Sequence, residues 1–349
     1  MNRALLLLIA FWGMLRAEDL HAGNPDRQGE AGAYELLMNP WAKSAGLHTI
    51  STSMIRGVES LRLNVAGLAR INQTEVLVGH AVYLQGTGIT MNALGVGQRI
   101  GKNSVLGMSI MALDFGEIAV TTTDEPEGTG AFFSPNFFNI GFSFAHTFEN
   151  KVSVGVTFRG ISQSTSDLSA FGFAVDAGIQ YVTGEADNFK FGISLRNVGS
   201  RMAFGGEGLA TQRPSPNGSG YELTLSQRAA GFELPSALNI GLSYDINFAE
   251  INRFTLLGNF TANSFSRDQL GAGFEYALKE IFQLRAAYKV ELGSIQPFEA
   301  SIYTGLSAGA SLELPLSKEN KDTRLGIDYA YRDTRLWNGT HNISFRISI

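Results

Sequence analysis

The chain contains no cysteine in its 349 residues. That excludes disulfides, thiolate metal sites and cysteine nucleophiles together, and with them the lipid-bearing cysteine of a bacterial lipoprotein. Proline is scarce at 9 residues, so the 40 glycines belong to neither a collagen-like nor a linker composition. Charge of one sign is also lacking. The net charge is −5 with no block of like charge, and the basic stripe of a nucleic-acid-binding protein is missing. Beyond the first 22 residues, no apolar run approaches the roughly twenty residues that a transmembrane helix needs.

The one apolar run, Ala4 to Leu15, follows Arg3 and precedes the small residues Ala17 and Ala22. It is too short to span a bilayer and has the layout of a secretory signal peptide, with cleavage expected after Ala17 or Ala22. The remainder is therefore expected outside the cytoplasm.

What the chain does have is two-residue alternation. The stretch VSVGVTFRG sets Val152, Val154, Val156 and Phe158 on one face and Ser153, Gly155, Thr157 and Arg159 on the other. FKFGISLRN, ALNIGLSYDI and the closing HNISFRISI sort in the same way. Such a period marks β-strands with one face in an apolar medium. The apolar face is large and aromatic. The other mixes glycine and serine with full charges such as Asp176, Arg196, Arg285 and Asp328. A soluble sandwich has no reason to keep its wet face small, whereas the crowded lumen of a membrane barrel does.

Fourteen such strands are expected, beginning near Glu75, Gly88, Ser104, Phe137, Val152, Phe171, Phe189, Ala237, Phe254, Gln269, Phe282, Gly305, Thr323 and His341. The number is even, as single-chain bacterial barrels require. Connections after the even strands from two to twelve are short, as periplasmic turns should be. Long ones are expected after strands three, five, seven, eleven and thirteen. The fold class is an all-β, 14-stranded antiparallel transmembrane barrel in the bacterial outer membrane. Its organisation is a signal peptide at 1–22, an N-terminal segment at 23–74 and the barrel at 75–349. The final strand must close against the first, because hydrocarbon leaves an open edge unsatisfied.

The N-terminal segment does not alternate. It reads as short helices and turns with a possible strand at HTISTS, and it is expected to fold into the lumen as a plug, the alternative being a periplasmic extension.

Chemical motifs are weak. GLSAG, from Gly305 to Gly309, matches a hydrolase nucleophile elbow, but Ser307 lies in an alternating strand and not on a strand-to-helix turn. GVGQRIG at Gly95 has no helix after it, so strand glycines account for it. His21, His48, His80, His146 and His341 have no ligand spacing. No catalytic, cofactor or metal site is expected, and no enzymatic activity. Asp176, Glu275, Arg285 and Asp328 are read as lumen charges that form a selectivity site or pair with one another.

NPWAKSAGLHTISTSMIRGVESLRLNVAGLA resembles the start of the PorV/PorQ family, through Ala42 to Leu47 and then Asn64 and Ala66 to Ala69. The family's second glycine and acidic pair are missing here, and Val65 stands in place of its proline. DFGEI at Asp114, VDAGIQY at Val175, LRNVG at Leu195 and LPSALNIGLSYDI at Leu234 resemble its barrel landmarks. That family is similar in fold to the FadL long-chain fatty-acid channels, with fourteen strands and an N-terminal segment associated with the lumen. The resemblance implies a component of the type IX secretion system of Bacteroidota, binding the translocon, cargo C-terminal domains and the surface attachment machinery. Its partner surfaces would be the loops Thr121 to Pro135 and Gly199 to Ser236. The alternative is a FadL-like transporter of hydrophobic small molecules, which would call for a continuous apolar pocket between plug and wall.

Overall fold

The computed structural model describes residues 23–149, 151–216, 220–248, 251–293, 301–316 and 323–349. The signal peptide expected at 1–22 lies outside them, as does His21. Within them, fourteen strands form one closed antiparallel barrel. They are β1 (Thr74–Val82), β2 (Thr90–Arg99), β3 (Ser104–Asp114), β4 (Asn136–Thr147), β5 (Val152–Thr165), β6 (Leu168–Thr183) and β7 (Phe189–Gly199). The second half is β8 (Ala237–Phe248), β9 (Asn252–Asn263), β10 (Gln269–Leu278), β11 (Phe282–Glu291), β12 (Tyr303–Pro315), β13 (Arg324–Thr334) and β14 (Thr340–Ser348).

Closure is complete at the seam. β1 and β14 pair from Glu75↔Ser348 to Val82↔His341. The terminal residue is bonded in both directions: Ile349 donates its amide to Thr74 O at 2.8 Å, and its carbonyl accepts from Gln73 and Thr74. Every backbone group at the seam thus has a partner where lipid could supply none.

The two faces divide as the alternation implies. On β5, Phe158 is 64% exposed while neighbouring Thr157 is fully buried. Exposed Phe142, Leu242, Tyr288, Leu306 and Phe345 continue the outer apolar surface around the barrel. No helix among the described residues is long and apolar enough to cross a membrane; the strands do so.

Connections at the end that carries Thr74 and Ile349 are short, roughly three to eight residues, as at a periplasmic face. The opposite end holds the long connections 115–135 and 200–236, each with a minor hairpin: Ile118–Ala119 with Phe132–Phe133, and Ala210–Pro214 with Glu222–Ser226. Two connections expected to be long are not. β5 and β6 continue pairing to Thr165↔Leu168 and turn on Ser166 and Asp167 alone, with Ser166 at φ 48°. β13 and β14 are joined by residues 335–339 only. In both hairpins the strands simply run on past the apolar belt, and polar residues carry the ladder further.

Candidate functional site: the plug and the lumen wall

The N-terminal segment runs the full length of the lumen. At the outer end Asn24 donates to Ser266 O at 3.1 Å, and Gly32 and Glu233 bond through Gly32 N to Glu233 O at 2.9 Å. Ser266 and Glu233 belong to the connections after β9 and β7, both on the extracellular side. Ala33 and Leu36 then pack with Ile161, Met202 and Leu234. The chain descends through Trp41, wholly buried, to a cluster of Val58, Leu61, Val65 and Leu68 packed with β1–β4 residues. It enters β1 at the periplasmic rim. The segment thus threads the barrel from rim to rim and is not a periplasmic extension.

Its local structure is a chain of short helical turns: Ala42–Ala45, Val58–Arg62 and Val65–Arg70. Asn64 begins the last of these, its side chain accepting the Ala66 amide. The possible strand at HTISTS does not form. His48 and Thr49 have φ of 46° and 60°, in the left-handed region that no strand uses.

Wall and plug meet through hydrogen bonds. Gln180 donates to the carbonyls of Thr52 and Ile55 at 3.0 and 2.9 Å. Arg159 donates to Leu61 O at 3.1 Å, Arg196 to Leu36 O at 3.0 Å, and Asn342 to the carbonyls of Asn39 and Pro40. These wall side chains satisfy plug carbonyls that helix or sheet would otherwise occupy. The lumen glycines supply the necessary closeness. A Cβ on Gly155 would sit 2.8 Å from the Val65 backbone, and one on Gly192 would sit 2.5 Å from Thr52 O. The small residues read as lumen packing are therefore seats for the plug. Gly95, from the phosphate-loop-like stretch, likewise lies against Val58.

The four lumen charges pair, as the plainer of the two expectations had it. Arg159 holds Asp176 at 2.8 Å. Glu275 lies between Arg285 at 3.1 Å and Arg253 at 3.0 Å. Asp328 accepts from Ser311 and faces Arg346 at 3.8 Å. A cavity of about 740 Å³ opens at the periplasmic end, lined by Glu275 and by Lys43, Arg56, Arg70, Lys190, Glu59 and Glu313 among others. Lys43 and Arg346 both reach Glu313, at 3.3 and 2.6 Å. In the periplasmic turn after β10, burial would raise the Glu280 carboxyl. The bond and charge of Arg253, 2.7 Å away, outweigh that and hold it below its ordinary value. This mouth is charged and wet; it is not the apolar path that free passage of a hydrophobic molecule would need.

Ser307 faces the lumen and donates to Gly46 O at 3.1 Å. It lies within β12 and not on a strand-to-helix turn, so the nucleophile-elbow pattern serves plug contact. His80 contacts Asn92, His146 contacts Ser104, and His341 contacts Tyr329 and Gln85. No group of metal-binding side chains occurs among the described residues.

The wall departs from a regular ladder twice. β6 and β7 shift register between Val175 and Ala177, where Asn197 takes φ 59° and donates its amide to Asp176 at 2.6 Å. β12 and β13 shift between Tyr303 and Ser307, with Gly305 at φ 98°. Alternation in the sequence gave no sign of either.

No family model matches the chain, and no curated protein matches it. Solved structures do. The toluene transporter TodX of Pseudomonas putida is 13% identical, with 89% of this chain and 98% of that one covered at a TM-score of 0.56. The toluene transporter TbuX of Ralstonia pickettii gives the same figures: 13%, 89%, 98% and 0.56. A FadL homologue of Pseudomonas aeruginosa is 13% identical over 89% of this chain and 98% of that one, at 0.50. At such identities the likeness is one of fold, and nothing in it singles out the PorV/PorQ branch. The chain has the fold of the 14-stranded FadL-like outer-membrane channels, an outer-membrane barrel filled by its own N-terminal segment.

Proposed function

We propose that the chain is a plugged outer-membrane channel for a small hydrophobic molecule, opened by movement of the N-terminal segment. The observation that carries this is how the plug is held. It is one continuous segment seated on glycines, on an apolar cluster and on hydrogen bonds to wall side chains such as Gln180, Asn342 and Ser307, with no strand of its own in the barrel ladder. Each such bond has a net worth of about 0.5–1.5 kcal/mol. A segment held so can shift without unfolding the barrel. The solute class follows the fold neighbours, which are toluene transporters and a monoaromatic hydrocarbon channel.

The test is accumulation of labelled toluene by cells that lack hydrocarbon channels of their own, with and without this chain in the outer membrane. Faster accumulation with the chain supports the reading. Equal rates, with the barrel verified as folded, would overturn it.

The lumen's polarity favours a second reading, the secretion adaptor that the PorV/PorQ likeness implies. The loop 200–236 projects a folded hairpin with Tyr221 and Leu225 exposed, and Phe132 stands 61% exposed on the hairpin of the connection 115–135. Exposed apolar side chains on extracellular loops are what a protein partner would cover. Recovery of translocon or cargo proteins with the chain from native membranes would favour this reading over transport.

A further inference from the structure

Two arginines of the plug stand at the periplasmic mouth without a counterion. Arg56 and Arg70 both line the cavity of about 740 Å³. Arg56 is exposed and Arg70 half-buried. Neither makes an ion pair or a side-chain hydrogen bond among the described residues. Every other lysine and arginine of the lining lies 3.7 Å or less from a carboxylate.

The backbone fixes where the two stand. Gly57 takes φ 79° and donates its amide to Gly67 O at 3.0 Å, which lays the two arginine-bearing stretches side by side. The next amide, of Val58, donates to Glu75 at 2.7 Å. Arg70 ends the helical turn Val65–Arg70, and Arg99 of β2 donates to Ala69 O and Asn72 O on either side of it, at 3.0 and 2.6 Å. Burial, and after it the charge of Arg56, brings the Arg70 guanidinium down to about 10, so it stays charged at neutral pH.

The acidic side chains of the mouth are already committed. Asp187 pairs with Lys151 at 2.6 Å, Glu280 with Arg253 at 2.7 Å, and Glu313 with Arg346 and Lys43 at 2.6 and 3.3 Å. Asp245 pairs with Lys190, and Glu275 with Arg253 and Arg285. Glu59 and Glu75 accept the Ser44 and Val58 amides. Two guanidiniums are left over, and each offers a planar fork that takes a carboxylate through two parallel bonds. The chain as a whole carries −5, so it has no general attraction for acids; the excess is local to this mouth.

We propose that the mouth receives an acidic segment of a periplasmic protein, with carboxylates taken by Arg56 and Arg70. The arginines rise from separate turns, so an extended chain with spaced carboxylates meets both, where a small free anion would leave most of the mouth to water. Both arginines belong to the N-terminal segment, and a partner bound there grips the plug and not the wall. The inference is independent of what the barrel passes, since it concerns the periplasmic face of the resting, plugged barrel.

The experiment is fluorescence anisotropy of labelled hexaglutamate with the purified, detergent-solubilised full chain, beside labelled hexaglutamine as the uncharged control. Saturable binding of hexaglutamate alone is expected, weakening as salt screens the open mouth. Arg56→Gln and Arg70→Gln should each weaken it by about tenfold, the loss of one charge-assisted pairing. Arg213→Gln, on the outer hairpin, should leave it unchanged. Both mouth variants should unfold at the parent's temperature, because neither arginine side chain bonds anything in the resting protein. Earlier unfolding of both would mark them as structural and overturn the proposal. So would absence of binding, equal binding of hexaglutamine, or equal binding by the parent and both mouth variants. Citrate displacing the label as effectively, mole for mole, as unlabelled hexaglutamate would assign the site to a small free anion and overturn the peptide.

Discussion

The backbone amide of Ala42, in the plug, donates to the hydroxyl of Ser344, on the last strand, at 2.9 Å. Residues 302 positions apart are thus joined across the lumen, and the strand that closes the barrel also seats what fills it. Position 344 looks from the alternation like a water-lined lumen site that tolerates an acidic side chain. It is 1% exposed and committed to the plug. Ser344→Val is expected to leave the Ala42 amide unsatisfied at about 1–3 kcal/mol. The plug should become sensitive to protease while the barrel keeps its heat-modifiable mobility.

Phe345 gives the opposite contrast, because it faces outward and is 52% exposed. Phe345→Arg places a charge in hydrocarbon near mid-strand, at about 2–4 kcal/mol. Assembly should fail or slow markedly, measured as the folded fraction in vesicles. A folded fraction equal to that of the parent would reverse the assignment of faces.

The plug's route predicts a topology. Asp26 is exposed at the outer rim, beside the Asn24 contact to Ser266. The chain has no cysteine, so single replacements report cleanly. Asp26→Cys should react with a membrane-impermeant maleimide on intact cells, and Lys151→Cys only after permeabilisation. The reverse pattern would mean that the plug does not reach the outer rim.

Glu59 is buried and accepts from the Ser44 amide at 2.6 Å and the Ser44 hydroxyl at 2.7 Å. Burial, helped by the charge of Asp328, raises its carboxyl above the ordinary value. A raised carboxyl favours the folded state when protonated. Its contribution is complete below the unfolded value of about 4.3 and is lost as pH rises through the folded one. Glu59→Gln keeps both accepted bonds without the charge. The variant should match the parent in thermal unfolding near pH 4 and exceed it near pH 8. A constant difference across that window would show that the carboxyl is not raised.

The outer hairpin is removable. Gln227 donates to Leu209 O at 3.0 Å, so the ends flanking Ala210–Ser226 already meet. Excising those residues should leave barrel and plug intact. If the secretion reading holds, it should weaken recovery of partner proteins. Under the transport reading, hydrocarbon uptake should be unaffected.

Much of this fold was legible because a barrel writes its geometry locally. From β1 to β14 each strand's faces follow from alternating residues, and strand starts fell within a few positions of those observed. The plug's existence was legible as the absence of that alternation. Its route was not, because Asn24 meets Ser266 and Gly32 meets Glu233 only once the loops are folded. Nor were the ion pairs, since Glu275 and Arg285 come together through the register of β10 on β11. The register shift beside Gly305 and the left-handed backbone at His48 were the least legible parts, because neither changes the hydrophobic pattern.

On the transport reading, solute passes only when the N-terminal segment moves. The most direct measurement is uptake by barrels in which that segment is locked. Ala42→Cys with Ser344→Cys places two thiols where a backbone–side-chain hydrogen bond now spans plug and wall, in a chain with no competing cysteine. Labelled toluene uptake should be lost in the oxidised double variant and restored by a reductant, while each single variant behaves as the parent under both conditions. Undiminished uptake through the fully oxidised protein would show that solute passes with the segment in place.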